Sequence, residues 1–335
     1  MAAWLDIAAV LRSDAAMSGQ NPADEPTPTE DIATRIVRER LGWRAPDLRR
    51  FTTGIAFFVY DVRQGAENVV LRIGRPSQGT ALAESLALWQ RLTPLGVPLP
   101  RIMVDGTAED MPFVIMARLN GTDLGHVMAG LPPARLTAIA HAVADAQMAT
   151  ARLGPGIGFG YAARAEAAPH QSWSDVVAAH IDRSVRRITA NGLFPANAAA
   201  GVLARFAAYR AALDALPPMP FLHDTTTKNV IVTETGDFSG IVDVDDLCFG
   251  DPRYAVALTK AALLAFGAGP LDYVEPWMQR MGLPDDAVFA FYVAVFLLDF
   301  MSEHGMAFNG NQAPSDAATR ERLARLLAQT LGGTS

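Results

Sequence analysis

The sequence predicts an α+β fold in two lobes, a small β-rich one followed by a larger helical one. Three observations carry this. Between residues 50 and 119, short aromatic and β-branched runs alternate with turn residues, with one helical stretch inserted. From residue 133 onward, long stretches repeat their apolar residues at helical spacing. Among those helices lies a short β-rich island, residues 221–252, that holds two acidic clusters close together. A chain of 335 residues is too long for one small core, and two lobes are the natural division. The expected units are an extension and linker over 1–30, a first lobe over 31–118 and a helical lobe over 119–335.

The elements follow in order. Residues 17–29 are rich in Ser, Gly, Asn, Pro, Asp and Thr and read as a linker. Thr29 is placed to cap a helix over 31–41. Strands are predicted at 57–62 and 69–73 around a turn at 64–68, and at 101–105 and 112–119 around a turn at 106–110. Between the two pairs, Leu82, Leu86, Trp89 and Leu92 share one face of a helix over 81–92. Further helices are expected at 133–153, 173–190, 197–216, 254–266, 286–304 and 315–331. The glycines at 154, 156, 158 and 160 follow a helix and lack the spacing of a phosphate loop, so that segment is a connection.

Bulk properties exclude several classes. Half the residues are hydrophobic, as expected of a folded globular chain. A formal net charge of −7 argues against a general nucleic-acid binder and suits a cationic small molecule. No window reaches the roughly 18 apolar residues of a membrane span, and residues 1–16 lack a basic start and a cleavage site, so a cytoplasmic protein is expected. No segment specifies an oligomeric state. The single Cys248 rules out an internal disulfide and a multi-cysteine zinc site, and reads as a buried, inert thiol.

The chemistry concentrates in the β-rich island. The first cluster runs Asp224, Thr225, Thr226, Thr227, Lys228, Asn229 straight into Val230, Ile231 and Val232. The second runs Gly240, Ile241, Val242, Asp243, Val244, Asp245, Asp246 and closes on Gly250, Asp251 and Pro252. An Asp and an Asn five positions apart can offer a carboxylate to a hydroxyl and an amide oxygen to a metal. A second strand ending in Asp243 brings another carboxylate to the same metal. That is equipment for phosphoryl transfer, where positioning and charge neutralisation supply most of the catalysis. Only two lysines occur, Lys228 and Lys260, and Lys228 either contacts a phosphate or points outward.

Together these features resemble the aminoglycoside phosphotransferase and choline kinase-like family, small-molecule kinases with a bilobal protein-kinase-like fold. The resemblance runs in ordered pieces from about residue 50 to residue 258. It implies ATP and Mg2+, with Asp224 as the base that accepts the substrate hydroxyl's proton and Asn229 and Asp243 on the metal. It implies Arg72 as the cation that holds the nucleotide phosphates and Glu84 as its ion-pair partner. Gly54 would lie in the loop over the phosphates, and Met116 and Arg118 in the hinge that meets the adenine. His223, Lys228 and Asp246 would support the reacting groups, while Asp245 and Asp251 read as structural, Asp251 capping the helix that follows it. In the last helices, Asp299 and Glu303 are four apart and, with Glu275, would line an anionic pocket for a cationic acceptor.

The chain departs from the family pattern in two places. The family's His two positions before the base is Leu222 here, with His223 next to Asp224 instead. The Asp expected in the helix after Gly250–Pro252 is Ala255. The resemblance leaves the acceptor open among aminoglycosides, other sugars, amino alcohols and hydroxy amino acids. A nucleotide-binding pseudokinase is the alternative, and a metal-dependent phosphohydrolase is disfavoured because Asp243 and Asp245 lie far from an N-terminal strand.

Overall fold

The computed structural model describes residues 25–51, 57–267, 269–308, 311–312 and 314–332. The first helix, α1 (Glu30–Leu41), starts on Thr29, whose hydroxyl accepts from the Ile32 N–H at 3.3 Å, and stops at Gly42 in the left-handed conformation. Acidic Glu30 and Asp31 in its first turn and Arg38 and Arg40 in its last complement the helix dipole.

A five-stranded antiparallel sheet follows, in the order β1-β2-β3-β5-β4, from β1 (Asp47–Arg50), β2 (Phe58–Gln64), β3 (Glu67–Ile73), β4 (Ile102–Gly106) and β5 (Phe113–Ala117). The turn expected at 64–68 tightens, with Gln64 opposite Glu67 and Gly65 at φ +60. Strand alternation decides what each face carries. Val69, Leu71 and Ile73 of β3 pack with Ala33, Ile36 and Val37 of α1. Val70 and Arg72 therefore face the other way, toward α2 (Gly79–Leu92) and the second lobe. There Leu82, Leu86 and Trp89 share one core with Leu222, Ile241, Val244 and Leu247, so the β lobe packs directly on the 222–247 region.

The helical lobe contains α3 (Leu124–Val127), α4 (Pro133–Ala151), α5 (Trp173–Asn191), α6 (Ala200–Asp214), α7 (Arg253–Phe266), α8 (Val274–Met281), α9 (Ala287–Glu303) and α10 (Ala317–Gly332). Helix α9 is apolar on nearly every side and buried between its neighbours, with Asp286 capping its start through the N–H groups of Val288 and Phe289. No helix among the described residues is long and apolar enough to cross a membrane.

Two small antiparallel sheets present the site. One has the order β10-β9-β6, from β6 (Thr122–Asp123), β9 (Val230–Val232) and β10 (Phe238–Ile241). The other has the order β7-β11-β8, from β7 (Gly160–Ala162), β8 (Met219–Phe221) and β11 (Leu247–Gly250). Strand β7 begins at Gly160, the last residue of the glycine-rich connection, and β1 has Leu48 as its one apolar residue; neither has the apolar alternation that marks a strand in sequence.

Candidate active site

Two loops build the site. Residues 222–229 join β8 to β9, and residues 242–246 join β10 to β11. They are stitched together where the Val242 N–H donates to the Asn229 carbonyl at 2.9 Å. The first loop is held from behind by Gln147 of α4. Its Oε1 accepts from the Leu222 N–H at 2.9 Å, and its Nε2 donates to the Leu222 carbonyl at 2.8 Å and to Thr225 Oγ1 at 3.1 Å. Sequence reasoning missed Gln147. Its signal is a polar residue in line with Ile139, Ala140 and Val143 on an apolar stripe.

Asp224 is buried, and burial alone would raise its pKa. Lys228, with Nζ 3.0 Å from Oδ2, His223 beside it and the Thr226 hydroxyl 2.7 Å from Oδ1 outweigh burial and hold the carboxyl below its ordinary value. Lys228 thus turns onto the carboxylate. The buried His223 ring meets Tyr161 edge-on, with centroids 4.6 Å apart. Asn229 donates its Nδ2 to the Asp224 carbonyl at 2.9 Å, which commits the nitrogen end of the amide to the loop.

Asp243 has φ +62, the one positive value at a non-glycine among the described residues. Its side chain is 33 % exposed, and Oδ1 lies 3.9 Å from Arg72 Nη2. A left-handed aspartate costs on the order of 1 kcal/mol and persists where its surroundings impose it. Asp246 is buried; its charge, second to burial, helps keep the buried Cys248 thiol protonated. Cys248 is therefore no nucleophile. Asp251 accepts from the Arg253 N–H at 3.0 Å, and its Oδ2 accepts from Tyr292 at 2.9 Å, a cap and brace for α7.

The donor set suits a hard divalent cation: one carboxylate at Asp243 and one amide oxygen at Asn229. Among the described residues no three His, Cys, Asp or Glu side chains converge on a metal, so such an ion would depend on phosphate oxygens and water for its remaining ligands.

Several expected site residues lie elsewhere. Glu84 does not pair with Arg72; it is exposed on α2, 3.6 Å from Arg164. The inward stripe of α2 runs through Leu82, Ser85, Leu86 and Trp89, so Ser85, not Glu84, turns inward, toward Asp245. Met116 is buried within β5, between Val70 of β3 and Ile102 of β4. Arg118 braces the segment after β5, donating to Asp61 at 2.9 Å and to the Leu119 carbonyl at 2.9 Å. Gly54 lies outside the described residues.

The predicted anionic pocket is not assembled. Asp299 is fully buried and accepts from Arg183 at 3.2 Å and Ser184 at 2.9 Å, with His180 Nε2 at 3.0 Å. These partners hold its carboxyl low against the opposing effect of burial. Glu303 is buried against Arg187 at 3.3 Å. Glu275 sits exposed on α8, bonded to Gln279. The four-residue spacing does place Asp299 and Glu303 on one helix face, but that face meets α5.

The sequence profile of the phosphotransferase enzyme family (APH) matches residues 47–278. No curated protein sequence matches the chain. Among solved structures, aminoglycoside phosphotransferase APH(4)-Ia superposes with TM-score 0.62 at 19 % identity, covering 90 % of this chain and 99 % of that one. ADP-bound APH(2'')-Ib gives 0.60 at 13 % identity, over 90 % and 99 %. The APH(2'')-IIa complex with streptomycin and ATP gives 0.59 at 12 % identity, over 92 % and 98 %. A thermostable mutant of APH(4)-Ia, similar at TM-score 0.60, is known in a ternary complex with ADP and hygromycin B.

Proposed function

The chain belongs to the phosphotransferase enzyme family, and from that premise we propose that it transfers the γ-phosphoryl group of ATP to a hydroxyl of a small molecule. The observation that carries this reading is Asp224: a buried carboxylate kept ionised by Lys228 and Thr226, in a loop bonded directly to the loop of Asp243. An ionised carboxylate at that place orients the acceptor hydroxyl and takes its proton as the new oxygen–phosphorus bond forms. Asn229 and Asp243 are the residues that would hold Mg2+, which when bound would neutralise phosphate charge. Arg72, on the face of β3 that looks toward Asp243, supplies fixed positive charge for the nucleotide phosphates. The neighbours that hold ADP, ATP, hygromycin B or streptomycin support a nucleotide and a hydroxylated small molecule as the two substrates.

Asp299 and Glu303 are spent on α5, so any recognition of a cationic acceptor falls to other groups near Asp224.

The test is ATP consumption across aminoglycosides, macrolides, sugars, amino alcohols and hydroxy amino acids, with wild type beside Asp224→Ala. The expected result is turnover on one class, abolished in the variant while nucleotide binding persists. Undiminished turnover in Asp224→Ala would remove Asp224 from its role. Nucleotide binding with no turnover on any acceptor would favour a nucleotide-binding pseudokinase.

A further inference from the structure

A guanidinium on the inner face of β3 is costly unless it is paired, and Arg72 is only 7 % exposed. Its partner comes from a distant part of the chain. Nη1 and Nη2 of Arg72 donate in a two-pronged fork to the two carboxylate oxygens of Asp245. Asp245 is itself buried and also accepts from Ser85 Oγ of α2 at 3.1 Å. The neighbouring Val244 carbonyl accepts from the Trp89 indole N–H and from Ser85 Oγ at 3.5 Å. The Phe57 ring closes the other side of the guanidinium, 3.9 Å from its carbon. The fork uses one N–H of each terminal nitrogen, and Nη2 still lies 3.9 Å from Asp243 Oδ1. Arg72 is thus held by the loop that carries Asp243, while Glu84 of α2 faces Arg164.

We propose that Asp245 is the positioning residue that aims Arg72 at the nucleotide phosphates, in place of a glutamate on α2. This rests on the reading of Arg72 as the phosphate-holding cation given above. The consequence is that one short loop, residues 243–245, sets both the cation and the metal carboxylate. Their relative placement then needs no carboxylate from α2, whose contribution is the Ser85 and Trp89 side-chain hydrogen bonds to the same loop. The arrangement also identifies where a carboxylate on α2 would have to stand: at Ser85, whose hydroxyl already reaches Asp245.

The test uses the full chain, titrated with ADP and Mg2+ by calorimetry, and steady-state kinetics with the acceptor found above. Asp245→Asn should weaken ADP binding and raise the KM for ATP by about tenfold, with the acceptor KM within about twofold of wild type. Asp245→Asn/Ser85→Glu should recover most of the lost nucleotide affinity, because it returns a carboxylate to Arg72 from the α2 side. If Asp245→Asn alone fails to fold, Arg72→Met and Arg72→Met/Asp245→Asn carry the test. An aspartate that acts only through Arg72 leaves the double variant no weaker for ADP than Arg72→Met. Wild-type ADP affinity in Asp245→Asn, an equal loss toward both substrates without rescue, or a loss in Glu84→Gln as large as in Asp245→Asn would overturn the proposal. Absence of ADP binding by the wild-type chain would instead sink the functional reading on which it stands.

Discussion

Lys228 places its ammonium 3.0 Å from the buried Asp224 carboxylate, one helical turn's spacing away in a loop that is not a helix. The pair opposes what burial would do to Asp224. Burial favours the protonated acid, which cannot accept a proton from a substrate hydroxyl; Lys228, His223 and Thr226 reverse that preference. Lys228→Met should therefore raise the Asp224 pKa and move the acid limb of the pH–rate profile to higher pH. The turnover at neutral pH should fall by roughly tenfold. An acid limb that stays in place in Lys228→Met would show that the lysine does not govern Asp224.

The Gln147 side chain exchanges two hydrogen bonds with the Leu222 backbone and a third with Thr225. It thereby supports the loop that carries Asp224 from behind, at Leu222 and Thr225. Gln147→Leu preserves volume and strands a buried N–H and a buried carbonyl, each worth about 1–3 kcal/mol when left unpaired. The expected result is a stability loss of roughly 2–4 kcal/mol in urea unfolding, with turnover reduced more than nucleotide affinity. A Gln147→Leu variant as stable and active as wild type would remove the residue from this role.

These two residues show what the sequence discloses and what it does not. The place of Asp224, Asn229 and Asp243 is legible because each sits beside a short apolar strand, a local pattern that the chain carries openly. The order of the lobes is legible for the same reason, since periods of two and 3.6 separate sheet from helix. The partner of Arg72 is not. Glu84 and Ser85 differ by one position, about 100° around a helix, and only packing decides which faces the sheet. Asp245 lies 173 residues from Arg72, and no local spacing announces that contact. Asp299 and Glu303 were legible as a pair on one helix face, but the identity of the opposing helix was not.

Glu303 carries a second acid–base consequence. Its carboxyl is pushed up to about 8, first by burial and then by the nearby Asp299 carboxylate; Arg187, Arg183 and Lys228 pull the other way and are outweighed. A group whose pKa is raised on folding binds its proton more tightly in the folded state. Its contribution to stability is full below the ordinary Glu pKa and is lost as pH rises toward 8. The slope can reach about 1.4 kcal/mol per pH unit. Glu303→Gln keeps the shape and removes the titration, so its stability should decline less between about pH 5 and about pH 8 than that of wild type. Parallel urea midpoints for the two chains across that range would exclude this assignment.

The connection from β5 to β6 is fixed by a close backbone approach at Gly121. It adopts φ +109, and a Cβ there would lie 1.8 Å from the Val232 carbonyl oxygen and 2.9 Å from the Thr233 Cα. Those are backbone atoms and cannot rotate aside. Thr122 pairs with Val232 immediately beyond, so β6 lies against β9, the strand that leaves the Asn229 loop. Gly121→Ala must therefore separate β6 from β9 or distort the connection that Arg118 braces through the Leu119 carbonyl. The expected cost is roughly 2–4 kcal/mol, combining backbone strain and overpacking. Gly130→Ala is the matched control, because a Cβ at that position meets nothing within 4 Å. Denaturation midpoints and ADP titration read both effects: the Gly121 variant should lose stability and nucleotide affinity together, while the Gly130 variant keeps both. Equal behaviour of the two variants would mean that the approach of Gly121 to Val232 is not what holds this connection in register with the Asn229 loop.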